Sequence, residues 1–124
     1  MAVVDRVSLG KSGEEIACRE LRRRGYEILT RRFRTRLGEL DIVARDGDTL
    51  VFVEVKTRRS ADYGLPREAV SRRKQRKVWL MALDFVMRAG WHNRACRFDV
   101  VEVQMLDSGD ALLEVIPDAF EACE

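Results

Sequence analysis

Apolar and polar residues alternate most regularly between Gly38 and Lys56. Leu40, Ile42 and Ala44 recur at every second position, as do Val51, Val53 and Val55, and Asp46-Gly47-Asp48-Thr49 separates the two runs. The pattern predicts two antiparallel strands joined by a tight turn. Side chains on a strand alternate faces, so a turn centred on Gly47 and Asp48 sets Arg45 opposite Leu50, Asp41 opposite Glu54 and Glu39 opposite Lys56. A two-residue Asp46-Gly47 turn slides the pairs by two and makes Asp41 and Glu54 diagonal neighbours. Any even-length loop keeps Asp41, Glu54 and Lys56 on one face, whereas an odd loop or a bulge separates them. The other face (Leu40, Ile42, Ala44, Val51, Val53, Val55) is wholly apolar and is expected to be buried.

The rest of the chain reads as follows. Residues 1–11 form a loose lead-in. Ser12-Gly13-Glu14-Glu15 opens a helix, with Ser12 as N-cap and Glu15 completing a capping box. Ile16, Ala17 and Leu21 give that helix its buried stripe, and Gly25 stops it. A strand over Tyr26–Thr30 precedes the hairpin. Beyond Lys56 a polar connection, Thr57 to Gly64, leads to Pro66, which suits the first turn of a second helix. This helix is expected to run to about Ala89, with Gly90 ending it and Val70, Val78, Met81, Ala82, Phe85, Val86 and Ala89 facing the core. Trp79 and Trp91 read as packing residues. Cys96–Gln104 forms a strand with Phe98, Val100 and Glu102 on one face and Asp99, Val101 and Val103 on the other. A last strand, Ala111–Ile116, follows the Ser108-Gly109-Asp110 turn and stops at Pro117, with a frayed acidic tail from Asp118. Helix, three strands, helix and one or two strands predict an α/β protein: a mixed sheet with helices against its faces, in a single domain over residues 1–124 with its core at about 10–117.

Composition narrows the function. The net charge is only +2, so any case for nucleic-acid binding rests on how charge is distributed. Three basic clusters stand out: Arg22-Arg23-Arg24, Arg31 to Arg36 (Arg31, Arg32, Arg34, Arg36 around Phe33), and Arg72-Arg73-Lys74-Gln75-Arg76-Lys77. Such clusters suit phosphate backbones, or serve as solvated faces. Arg58 lies in the polar connection that would pass beside a substrate. No apolar run approaches the roughly 20 residues that span a bilayer, and the first ten residues lack a signal peptide's apolar core. Three widely spaced cysteines, Cys18, Cys96 and Cys123, argue against a zinc site or disulfide framework and fit a reducing, cytoplasmic setting. His92 is the only histidine and reads as a surface residue, which excludes Ser-His-Asp and Cys-His nucleophile systems.

Two carboxylates across a ladder repel, so Asp41 and Glu54 require a shared proton, a protein cation such as Lys56, or a divalent metal. A salt-bridged strand edge of Glu39, Asp41, Glu54 and Lys56 answers the same demand. An Asp followed thirteen positions on by Glu-x-Lys, on adjacent hairpin strands, resembles the metal-dependent nucleases of the PD-(D/E)xK type. The resemblance extends along most of the chain. Gly10-x-x-Gly13-Glu14, Gly25-Tyr26, Gly38-Glu39-Leu40-Asp41, Phe52-Val53-Glu54-Val55-Lys56 and Arg97-Phe98-Asp99-Val100-Val101 occur in the order of an uncharacterised bacterial family often called YraN. That family is similar to the archaeal Holliday-junction resolvases. One departure is the lack of a proline before Asp41.

The resemblance implies a restriction-endonuclease-like core and phosphodiester hydrolysis with Mg²⁺ or Mn²⁺. Asp41 and Glu54 would be metal ligands, with the Val55 carbonyl as a third and Glu14, the acid of the Gly-Glu pair, bound directly or through water. Glu15 has a capping task and Glu14 has none, although a carboxylate near a helix N-terminus is favourable in its own right. Lys56 would orient the attacking water and stabilise charge growing on the phosphate. Glu39 is either a partner for Lys56 or a strand-edge ion pair. Lys74 and Gln75 would reach the rim of the metal site. The implied partner is nucleic acid, DNA before RNA, including branched or structured DNA. Symmetric cutting of a four-way junction would favour a two-fold homodimer, whose interface nothing in the sequence marks. The competing reading is a nucleic-acid-binding protein on a nuclease-like scaffold that does not cleave. A third, a protein-interaction module, lacks a large apolar surface stripe in the sequence.

Overall fold

The computed structural model describes residues 2–6, 12–59, 70–91 and 94–120. Six strands and two helices follow the order β1 (Ala2–Arg6), α1 (Gly13–Arg23), β2 (Glu27–Thr35), β3 (Gly38–Asp46), β4 (Thr49–Arg59), α2 (Arg72–Ala89), β5 (Cys96–Met105) and β6 (Asp110–Phe120). The strands form one sheet in the order β1-β6-β5-β4-β3-β2. Only β4 and β5 pair in parallel, and α2 lies in the connection such a pair needs. The protein is thus an α/β fold, a mixed sheet flanked by helices as in restriction-endonuclease-like proteins.

The helices take opposite faces. α1 sets Ile16, Ala17 and Leu21 against Ile42, Ala44, Val51, Val53, Val101 and Val103. α2 sets Val78, Met81 and Ala82 against Leu40, Val43, Leu50, Phe52, Phe98 and Val100. The central hairpin is therefore buried on both sides, rather than on the single apolar face expected. Fully buried strands read as near-continuous apolar runs, and Leu50 to Val53 is such a run. Leu40 also departs from the expected face, packing with Val43 and Phe52 instead of Ile42. Its partner across β2, Phe33, packs in the same cluster, and Arg32 between the pairs Arg31↔Ile42 and Phe33↔Leu40 has φ 54.

Other boundaries move for similar reasons. Part of the expected lead-in is β1, which finds its hydrogen bonds along β6. The strand expected to end at Thr30 runs on to Thr35 as the partner of β3, so the arginine cluster is itself on a strand. The second helix does not run continuously from Pro66. Ser71 is extended (φ −63°, ψ 156°) and accepts a 3.1 Å bond from the Lys74 amide, so it caps a helix that starts at Arg72. Gly90, at φ 67, ends it as expected. Pro66 and His92 lie outside the described residues. Pro117 does not stop β6. The register shifts between Phe98↔Phe120 and Val100↔Ile116, accommodating the proline, and the fully buried Asp99 accepts the Asp118 amide at 2.9 Å. Among the described residues no helix is long and apolar enough to cross a membrane. Leu80, Leu83 and Met87 are exposed along the outer side of α2, an apolar stripe that the sequence pattern hid.

Asp99 also takes Arg97 Nε at 3.1 Å. The Arg97 guanidinium reaches Asp46 at 3.1 Å and the Tyr26 hydroxyl, tying the start of β5 to the hairpin turn and to β2. Removing one member of a buried pair strands the other charge. Asp99→Ala should therefore lower unfolding stability by about 3 kcal/mol, read from urea denaturation. A loss below about 0.5 kcal/mol would show that this network is dispensable.

Candidate active site

The regular pairing of β3 with β4 ends at Ile42↔Val53. One residue further, the Val55 amide donates to Asp41 Oδ2 at 2.8 Å, so a side chain takes over where the ladder stops. The turn is the one centred on Gly47 and Asp48, with Arg45 opposite Leu50. Asp41 and Glu54 are thereby neighbours at the end of the ladder, beneath a sheet face that α2 covers.

Three segments converge there. Glu54 on β4 is 9% exposed, and its Oε1 meets Lys74 Nζ at 2.9 Å. Glu54 Oε2 is buried with no hydrogen-bond partner among the described residues. Lys74 comes from the first turn of α2, and its bond to Glu54 holds the ammonium above its usual range. Glu14 comes from the first turn of α1, where Ser12 Oγ accepts the Glu15 amide at 3.2 Å. The Glu14 carboxylate meets Arg31 Nε at 3.0 Å and Arg32 Nε at 3.3 Å. Gly13 is what lets α1 come this close. A Cβ there would lie 2.0 Å from Thr57 Oγ1, just past Lys56 on β4.

Asp41 records the electrostatics of the whole site. Burial pushes its carboxyl up to about 6; the Val55 amide opposes this, Glu54 and Glu14 add to it, and Lys74 opposes it. A perturbed acid at a convergence of charged groups marks a functional-site candidate.

The remaining residues sort by position. Val55 and Lys56 are half-buried on β4, with Lys56 in register with Glu102 of β5. Glu39 sits 3.5 Å from Arg34, its neighbour across β2 and β3, which makes it a strand-edge ion pair. Arg34 and Arg36 are exposed, Arg58 is half-exposed on β4, and Arg72 and Arg73 are exposed on the first turn of α2. Gln75 turns back, its Nε2 donating to the Val70 carbonyl at 2.8 Å. Phe33 packs edge-on against Phe85, 5.3 Å between centroids, and so belongs to the core. The direct engagement of Glu54 by Lys74 and of Glu14 by Arg31 and Arg32 was not legible in the sequence. The expectation that Lys74 would reach the rim of the site came nearest to it.

Among the described residues, no three His, Cys, Asp or Glu side chains stand close enough to form a metal cage. Asp41 and Glu54 still suit a hard cation such as Mg²⁺, which keeps several waters and needs one or two carboxylates. The buried, unpartnered Glu54 Oε2 is the feature that fits this chemistry.

Comparison with known proteins adds a family without an activity. The profile of the uncharacterised protein family UPF0102 matches residues 13–103. A UPF0102 protein of Caldicellulosiruptor saccharolyticus is 51% identical over 113 residues, covering 90% of this chain and 96% of that protein. One from Geobacter sulfurreducens is 50% identical over 113 residues, 91% and 88% of the two chains. One from Rhodococcus jostii is 45% identical over 114 residues, 92% and 97%.

Two outcomes follow from this packing. The folded-state value for Asp41, about 6, lies above the ordinary 3.8. Folding thus favours the protonated acid, and stability falls as pH rises from about 4 through 6. In EDTA, Asp41→Asn, which keeps an acceptor for the Val55 amide, should stabilise the protein by about 1–2 kcal/mol at pH 8 and by almost nothing at pH 4. Thermal melts at the two pH values decide it, and an equal effect at both would dismiss the electrostatic cause. Gly13→Ala should cost about 1–3 kcal/mol through overpacking, and Thr57→Ala in the same chain should recover part of that loss.

Proposed function

We propose that this chain, which belongs to the uncharacterised protein family UPF0102, is a divalent-metal-dependent nuclease that hydrolyses phosphodiester bonds in DNA, branched or structured DNA included. The observation that carries this reading is Glu54 Oε2, buried and unpartnered beside an Asp41 whose acid is raised by burial. A protein evolved only to be stable would gain by replacing such a pair with apolar side chains. A protein that only bound nucleic acid would gain nothing from buried carboxylates that repel phosphate.

Asp41, Glu54 and the Val55 carbonyl would hold Mg²⁺ or Mn²⁺, with Glu14 reached directly or through water. Such a cation, when bound, polarises the scissile phosphate and makes water a better nucleophile. Lys56, two residues along β4 from Glu54, would orient that water and meet charge developing on the phosphate oxygens. Arg31, Arg32, Arg34, Arg36 and Arg58 would contact the backbone from β2 and β4, and Arg72 and Arg73 from α2. The first turn of α2 contains no acid, so these cations add to the positive end of the helix dipole at a cost in stability. A phosphate neighbour would offset that cost. Cutting a four-way junction symmetrically would take two copies. The free thiols of Cys18 and Cys96 support a cytoplasmic setting.

The test is to incubate the protein with labelled duplex, single-stranded, flap and four-way-junction DNA in Mg²⁺, Mn²⁺ or EDTA. Cleavage should require metal and fall at least about 100-fold in Asp41→Asn and in Lys56→Ala. Binding without cutting on every substrate would favour the non-catalytic scaffold instead. Cutting that persists in EDTA would remove the metal from the reaction.

A further inference from the structure

Lys74 reaches Glu54 from another element, and it does so at the oxygen next to the unpartnered one. Its Nζ is 2.9 Å from Oε1, while Oε2 is buried without a partner. Its backbone is fixed, because Ser71 Oγ accepts the Lys74 amide at 3.1 Å in the cap of α2. The side chain beyond is 49% exposed, against 10% for Glu54, so it can swing toward solvent without disturbing the core. A lysine is a compact charge on a flexible stem, suited to such an exchange. We propose that Lys74 is a resident counter-cation that a divalent metal displaces from Glu54, and that its displacement delivers the ammonium to a substrate phosphate.

Charge balance drives the exchange. Asp41 and Glu54 together carry at most two negative charges, which a divalent cation cancels. Lys74 then adds a positive charge beside a cation in a poorly solvated place and is expelled. A substrate phosphate at the end of α2 would be a favourable anion for it, since Arg72 and Arg73 stand there and the first turn itself holds no acid. Arg31 and Arg32 repeat the arrangement on Glu14, at 3.0 and 3.3 Å, so both basic clusters that face the site are tied to its acids. Metal and nucleic acid therefore bind with positive coupling, each weakening the ion pair that opposes the other. The inference rests on the metal-binding reading above and adds to it the residue that sets metal affinity.

The experiment titrates Mn²⁺ into wild type, Lys74→Met, Lys74→Arg and Asp41→Asn at pH 8, without DNA, by calorimetry, with circular dichroism to verify folding. Removing the competitor should tighten Mn²⁺ binding roughly five- to tenfold in Lys74→Met. Lys74→Arg, whose planar fork grips a carboxylate more firmly, should weaken it about two- to fivefold. Opposite directions in the two variants are not explained by a general loss of structure. In a second arm, Ca²⁺, which takes the same oxygen ligands, should raise wild-type affinity for a short DNA duplex, and Lys74→Met should lose most of that gain. Mn²⁺ binding in Lys74→Met that is equal to or weaker than wild type overturns the inference. If Asp41→Asn abolishes Mn²⁺ binding and Lys74→Met leaves it unchanged, the metal reading stands and this inference alone falls. If neither wild type nor Lys74→Met binds Mn²⁺, both fall.

Discussion

The structure turns on the burial of β4 from both sides. α1 packs on one face and α2 on the other, so from Leu50 to Glu54 a side chain leaving β4 in either direction enters protein. Val51 and Val53 benefit from this, and so do Leu50 and Phe52. Glu54, in the same strand, does not. Its carboxylate is buried with the run from Leu50 to Val53. Lys74 pairs with one oxygen, and Asp41 loses acidity partly because Glu54 is near. A sheet solvated on one face would have left Asp41 an ordinary acid.

The same geometry gathers both helix N-termini at one end of the sheet. α1 arrives through the contact between Gly13 and Thr57, and brings Glu14. α2 arrives through the Ser71 cap, and brings Lys74. Positive helix ends, a cluster of acids and two basic clusters thus share a small volume, with each acid partly matched by a cation. Such a balance is metastable in charge, though firm in backbone. The far end of the hairpin is different in kind. There Arg97, Asp99, Asp46 and the Asp118 amide satisfy one another, and the network holds strands together.

Much of the site was legible in the sequence. Period two and a compact turn bring Asp41 and Glu54 together, and the observed register agrees with the count from Gly47 and Asp48. The capping signal at Ser12 placed Glu14 on a first turn. Several features escaped because they depend on neighbours distant in sequence. Leu40 packs under α2 together with Phe33, its partner on β2. Pro117 lies inside a strand because a bulge and the Asp99 carboxylate accommodate it. Glu39 pairs with Arg34 because β2 runs on to Thr35 beside β3.

By itself, the sequence determined the elements whose signals are local: the hairpin, the Ser12 cap, the glycine that ends α2 and the alternating faces of β5. Those follow from backbone geometry and side-chain period, which a residue carries wherever it goes. Tertiary structure decided which charges meet. Burial of Glu54, the reach of Lys74 from α2 and the grip of Arg31 and Arg32 on Glu14 depend on how two helices close over a sheet. Desolvation belongs to the assembled surroundings, and no residue spells it alone.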